Sequence, residues 1–166
     1  RSMANTPWFL VAMLASAPAL AGSVDFQGHS VEVDATTGAR RVLSVRGASY
    51  SIPGSTAQAI GKAQSCLARA DSGVGVVSVD PSGGRLRAVS RTGYQHGGLA
   101  RVVRSRWAIE AAAGSFRVIL TEMADVSGDG VGEIYAPLLL DGDSGGGEAL
   151  AAVIDVGKSL LDCMYR

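Results

Sequence analysis

Three groups of residues in this chain have the types and spacing that do chemistry elsewhere. The first is Gly142-Asp143-Ser144-Gly145-Gly146. A serine on such a turn can be presented as a nucleophile while nearby backbone amides hold an oxyanion, provided a histidine and an acid reach it. His29 and His96 lie upstream together with several aspartates, so the chain order His, Asp, Ser is available. The second is Asp125-x-Ser127-x-Asp129-Gly130-x-x-Glu133, which places oxygen ligands at positions 1, 3 and 5 of a calcium loop, glycine at 6 and an acid at 9. The third is a charge partition. Seven arginines (85, 87, 91, 101, 104, 106 and 117) face Glu110 alone between Pro81 and Thr121, and from Glu122 onward nine acids face only Lys158 and Arg166.

Each motif has a counter-reading in its context. Gly-Asp-Ser-Gly-Gly is the nucleophile signature of chymotrypsin-like proteases, whose paired barrels need far more chain than this. Neither Gly28-His29-Ser30 nor Gln95-His96-Gly97 resembles the Ala-Ala-His-Cys surroundings of that family's histidine, and a helical pattern begins at Glu148 where strands would be needed. The expectation is a loop leading into a helix, with a serine hydrolase acting through Ser144 as the alternative. In the acidic segment Ala136 stands where a calcium loop needs a bidentate Glu, and Gly132 replaces the usual apolar residue at position 8. An acidic hairpin is therefore expected, with a calcium-stabilised structural domain (ligands Asp125, Ser127, Asp129 and Glu133) as a further alternative. The two histidines are isolated in sequence and are expected at the surface or in loops, not in a metal site.

The arginines are better placed. Period-two alternation puts Arg85, Arg87 and Arg91 on one face of their strand and Arg104 and Arg106 on one face of the next. Leu86, Ala88, Val103, Trp107 and Ile109 take the opposite face. Guanidinium forks suit carboxylate and phosphate groups, so such a stripe fits an anionic envelope ligand or an acidic protein. The alternative is a solvated sheet face offset by the acidic last third. A net charge of +0 speaks against nucleic acid.

The elements that position these residues alternate along the chain. Ser30–Asp34 and Arg41–Arg46 read as strands around a turn at Thr37-Gly38. Ser55 and Gln58 make a capping box, and Ala59, Ala63, Cys66 and Ala70, with Ile60 and Leu67, form one apolar helical face. Runs at Gly75–Val79, Arg85–Thr92, Ala100–Glu110 and Phe116–Glu122 are separated by hairpin-type segments, which predicts an antiparallel meander. Glu148–Tyr165 reads as a closing helix with Leu150, Val153, Ile154, Leu161 and Met164 on one face and Cys163 in the last turn. The sum is a single α+β domain over 22–166, a mainly antiparallel sheet with two helices on one face.

The chain has 166 residues, 47% hydrophobic and 18% charged, which excludes wholesale disorder and suits one core. Trp8–Gly22 carries a short uncharged apolar run followed by Ala19-Leu20-Ala21, the pattern of a signal peptide cleaved near Ala21, with Arg1-Ser2 resembling a tag remnant. Residues 1–21 are thus set apart, and the domain is expected to be periplasmic or secreted. The run is too short to span a bilayer and no cysteine follows it, so no stable membrane anchor is implied. Of the two cysteines, Cys66 and Cys163, a single disulfide is expected in an oxidising compartment, with two buried thiols as the alternative. No cofactor motif is present.

Strand order, Ile52-Pro53-Gly54-Ser55 opening a helix that ends at Leu67, and the strands Val77-Ser78-Val79 and Phe116-Arg117-Val118-Ile119-Leu120 together resemble a bacterial family. That family comprises exported domains of unknown function with a TATA-binding-protein-like fold. The resemblance covers Tyr50 to Met123 and implies the fold; it brings no catalytic residue. The expected role is a non-catalytic binding or interaction module, inhibitor- or immunity-like, using Arg85, Arg87, Arg91, Arg104 and Arg106.

Overall fold

Alternation of apolar and polar residues carries most of the chain into strands, and the computed structural model describes residues 21–69, 72–128 and 131–166. Residues 1–20 of the expected leader (1–21), together with Ala70 and Asp129, lie outside the described residues, and Ala21 begins the first strand. The strands are β1 (Ala21–Phe26), β2 (His29–Asp34), β3 (Arg41–Arg46), β4 (Tyr50–Ser51), β5 (Val74–Asp80), β6 (Arg85–His96), β7 (Leu99–Ala112), β8 (Ser115–Ser127) and β9 (Ile134–Pro137). Helix α1 spans Thr56–Leu67 and α2 spans Gly146–Met164. The described strands form one nine-stranded antiparallel sheet in the order β1-β2-β3-β8-β7-β6-β5, with β4 and β9 also paired to β8.

The expected four-stranded meander is β5 to β8, and the sheet continues past it. β3 returns to pair with β8, Val45 lying opposite Leu120, and so brings β2 and β1 into the same sheet. Two strands are longer than their alternation suggested. β6 runs on to His96 because the reversal is made by Gly97 and Gly98, both with positive φ (56° and 78°), where a two-residue hairpin turn needs glycine. β8 runs on to Ser127, so Asp125 stands in a strand and not in an acidic loop.

One sheet face is apolar. Leu86, Ala88 and Tyr94 of β6, Val103, Trp107 and Ile109 of β7, and Phe116, Val118, Leu120 and Met123 of β8 are buried there. Against them lie Ala59, Ile60, Ala63, Cys66 and Leu67 of α1 and Ala149, Leu150, Val153, Ile154, Leu160, Cys163 and Met164 of α2. Each large aliphatic side chain buried this way stabilises the fold by roughly 1.5–3 kcal/mol. Ser55 caps α1 as the sequence indicates: its hydroxyl accepts from the Gln58 amide at 3.1 Å, and the Gln58 side chain accepts from the Ser55 amide at 2.8 Å. Cys66 and Cys163 form a disulfide across 5.9 Å between Cα atoms, tying the last turn of α1 to the last turn of α2.

Candidate functional site

Neither helix lies on the second face of the sheet, and the arginines stand there. Arg85, Arg87 and Arg91 alternate with the buried Leu86, Ala88 and Ser90. Register then sets their neighbours. Arg85 lies between Asp80 and Glu110, Arg87 between Ser78 and Ala108, and Arg91 opposite Arg104, while Arg106 lies between Val89 and Thr121. The expected stripe is therefore brought onto one surface, but its members differ in what they touch.

Three of the five arginines are engaged within the chain. Arg91 donates to Glu133 through two nitrogens, at 2.6 and 3.2 Å. That hydrogen-bonded pair holds the Glu133 carboxyl below the usual range, helped by the Tyr135 hydroxyl. Arg104 stacks over the Tyr135 ring with its guanidinium carbon 5.2 Å from the centroid, and Arg106 pairs with Glu122 at 2.5 Å. Among the described residues Arg85 and Arg87 make no ion pair. The partly buried Arg117, in the same row as Arg85, keeps its Nε without a hydrogen-bond partner.

A hollow of about 260 Å³ opens on this face, lined by Arg104, Arg106, Glu122, Met123, Ala124 and Tyr135. It sits where β7 and β8 fall out of register between Arg104 and Arg106. Glu122 carries the irregularity with a φ of 48°, a left-handed conformation uncommon for a side-chain-bearing residue. The bulge re-aims the Glu122 carboxylate onto Arg106, so an internal anion occupies part of the arginine surface. Bulge and pairing have no local sequence signal; only the excess of arginine over acid in this stretch was legible.

Of the calcium-type constellation, the described members Asp125, Ser127 and Glu133 are not brought together. Asp125 points to the helix side, where it accepts from the Tyr94 hydroxyl at 2.5 Å and from Arg101 at 3.1 Å. Burial, followed by the bond to Asp125, pushes the Tyr94 phenol up to about 12. Glu133 is bonded to Arg91 on the opposite face, and Ser127 ends β8. Among the described residues no group of three His, Cys, Asp or Glu side chains is arranged to hold a metal.

Ser144 lies in the exposed turn before α2, which begins two residues beyond it and not at Glu148. Its hydroxyl points to the Leu139 carbonyl, 3.5 Å away. Sequence distance hid what stands beside this turn. His96, expected to be isolated, has a side chain only 18% exposed and meets the loop with both ring nitrogens. Nδ1 is 3.3 Å from a Glu148 carboxylate oxygen and Nε2 is 3.0 Å from the Asp143 carbonyl. The continuation of β6 past Thr92 puts it there. Both ring nitrogens thus face Glu148 and Asp143, while the Ser144 hydroxyl is turned to Leu139. His29, by contrast, stands at the start of β2 beside a small apolar crevice closed by Tyr50, Ile154 and Leu161.

A four-stranded run bearing two helices on one face, widened by strands returning from the N-terminal side, can be compared with known architectures. A TBP-like protein from Parabacteroides distasonis superposes with a TM-score of 0.55 at 11% identity, over 74% of this chain and 94% of that one. The fold is TBP-like. A DUF4468 family protein from Bacteroides ovatus agrees, with a TM-score of 0.54 at 13% identity over 89% of this chain and 93% of that one. No family model matches the sequence, and no curated protein matches it either. At these identities the likeness carries the TBP-like architecture and no functional residue.

Proposed function

We propose that this TBP-like domain is an exported, non-catalytic binding module whose helix-free sheet face takes an anionic partner, an envelope ligand or an acidic protein surface bearing carboxylate or phosphate groups. The observation that carries the reading is the pair Arg85 and Arg87, exposed in one strand with no ion partner among the described residues, next to the hollow lined by Arg104 and Arg106. Exposed guanidinium groups present several donors in fixed forks, so a planar anion can be gripped at two points. The partners already on Arg91 and Arg106 are carboxylates, the chemistry the face selects. A disulfide favours an oxidising compartment, which supports export. Against catalysis stands the engagement of both groups elsewhere, His96 with Glu148 and Asp143 and the Ser144 hydroxyl with the Leu139 carbonyl.

The test is titration of the domain with a poly-glutamate peptide and with polygalacturonate at low and at high salt. Binding to at least one is expected to weaken as salt rises and to fall at least about tenfold, roughly 1.4 kcal/mol, in Arg87→Glu/Arg104→Glu. Binding that survives this double reversal, or no binding of either polymer, overturns the proposal. A fluorophosphonate label that attaches to the domain and is lost in Ser144→Ala would favour the hydrolase instead.

A further inference from the structure

The histidine beside the α2 turn has an arrangement that a neutral imidazole cannot satisfy. Both of its ring nitrogens face acceptors, the Glu148 carboxylate and the Asp143 backbone carbonyl. A neutral ring has one N–H, so one of the two acceptors would meet a lone pair; only the doubly protonated ring donates to both. The Asp143 carboxylate, 3.6 Å from Nε2, adds a second negative charge. We propose that His96 is a proton-operated latch: when protonated it fastens the turn Asp143–Gly145 to the β6–β7 hairpin, and when it loses a proton the turn is released.

Charged and titratable groups reach this site from the loop, α2 and the neighbouring strands. Glu148 comes from the first turn of α2 and Asp143 from the loop. From β7, Arg101 donates to the Ser144 carbonyl at 3.1 Å while its other nitrogen is held by Asp125 of β8, itself bonded to Tyr94 of β6. Gly145 lets the ring sit close: its φ of 83° is left-handed, and a Cβ there would run into the imidazole. The positive end of the α2 dipole opposes a cation at this spot, and the two carboxylates offset it. The other end of the segment is fixed independently of pH near neutrality, because Arg40 donates to Asp141 through its backbone amide and its guanidinium at 2.7–3.1 Å. Release would therefore be confined to the stretch between this anchor and the start of α2, with Arg101 still holding the Ser144 carbonyl.

The direction in pH follows from both partners. Hydrogen bonding to the Asp143 carbonyl and to Glu148 raises the His96 pKa above its ordinary 6.5, so its contribution is complete below about 6.5 and lost as pH climbs through the folded value. Glu148 is held below its ordinary 4.5, first by the amide at the start of α2 and then by His96. Its contribution is lost as pH falls through that lowered value, so the latch closes in a window between the two.

Hydrogen-exchange protection of the Ala149 amide, which donates to the Gly145 carbonyl at 3.0 Å, tests the proposal when corrected for intrinsic rates and read alongside the NMR titration of the His96 ring. Protection should be highest in the window, begin to decline near 6.5 and level off at the His96 titration midpoint, falling in all by up to about tenfold for each unit that its pKa exceeds the unfolded value. Glu148→Gln should move that midpoint downward, and His96→Gln should leave the turn weakly protected at every pH. Protection that stays flat while His96 titrates, or that declines alike in His96→Gln and the parent, overturns the latch. Glu148→Gln keeps the test decisive if the histidine variant folds poorly, since an unmoved midpoint overturns it too.

Discussion

The hydroxyl of Ser90, fully buried in the layer beneath the helices, accepts the indole N–H of Trp107 at 2.8 Å. Trp107 is the largest fully buried side chain among the described residues, and its one polar atom would otherwise lie unsatisfied in the core. Ser90→Ala should therefore cost about 1–3 kcal/mol, read from the denaturation midpoint, although it removes only one oxygen. Such residues set the limit on what a sequence discloses. Arginine alternation on β6 and β7 was visible because a strand forces a period of two. The inward pairing of Tyr94 with Asp125 was not visible, since two polar residues from different strands each look like loop formers until their partner is known. His96 was hidden for the same reason, its acceptors lying across the fold in the loop and first turn of α2.

At the scale of elements, local rules held where the determinants are local. The α1 cap is complete within four residues, and Ser55→Ala should lower stability by about 1 kcal/mol, with fraying of the first turn visible in exchange of the Gln58 amide. The end of β6 is not legible in the sequence because Tyr94 and Gln95 lack an apolar alternation, whereas the paired Gly97 and Gly98 supply the turn two residues later. β1 and β9 leave no clear mark in the sequence because neither carries a strong pattern of its own. Each is a strand by virtue of its neighbour, Val24 opposite Val31 in one case and Tyr135 opposite Val126 in the other.

Taken whole, the molecule folds its charge partition back on itself. Arg91 with Glu133, Arg101 with Asp125 and Arg106 with Glu122 join the basic and acidic stretches. The composition foretold this asymmetry but not which arginines would stay without partners. Its one covalent tie joins residues 97 apart in sequence. Replacing both Cys66 and Cys163 by serine should cost roughly 4–5 kcal/mol in the chain-entropy account of long loops, and reduction of the parent protein should reproduce the loss in its melting temperature.

The position of β3 beside β8 also sets the order in which the protein can be made. As synthesis proceeds from the N-terminus, β1, β2 and β3 emerge first as an isolated three-stranded ribbon. The strand that will shelter the inner edge of that ribbon is among the last to appear. Non-local pairing of this kind slows folding, because a long chain must close before the contact is gained. Until Leu120 arrives opposite Val45, the nascent chain carries an apolar ribbon with an unpaired edge, and this is the stage at which it is most exposed to wrong partners.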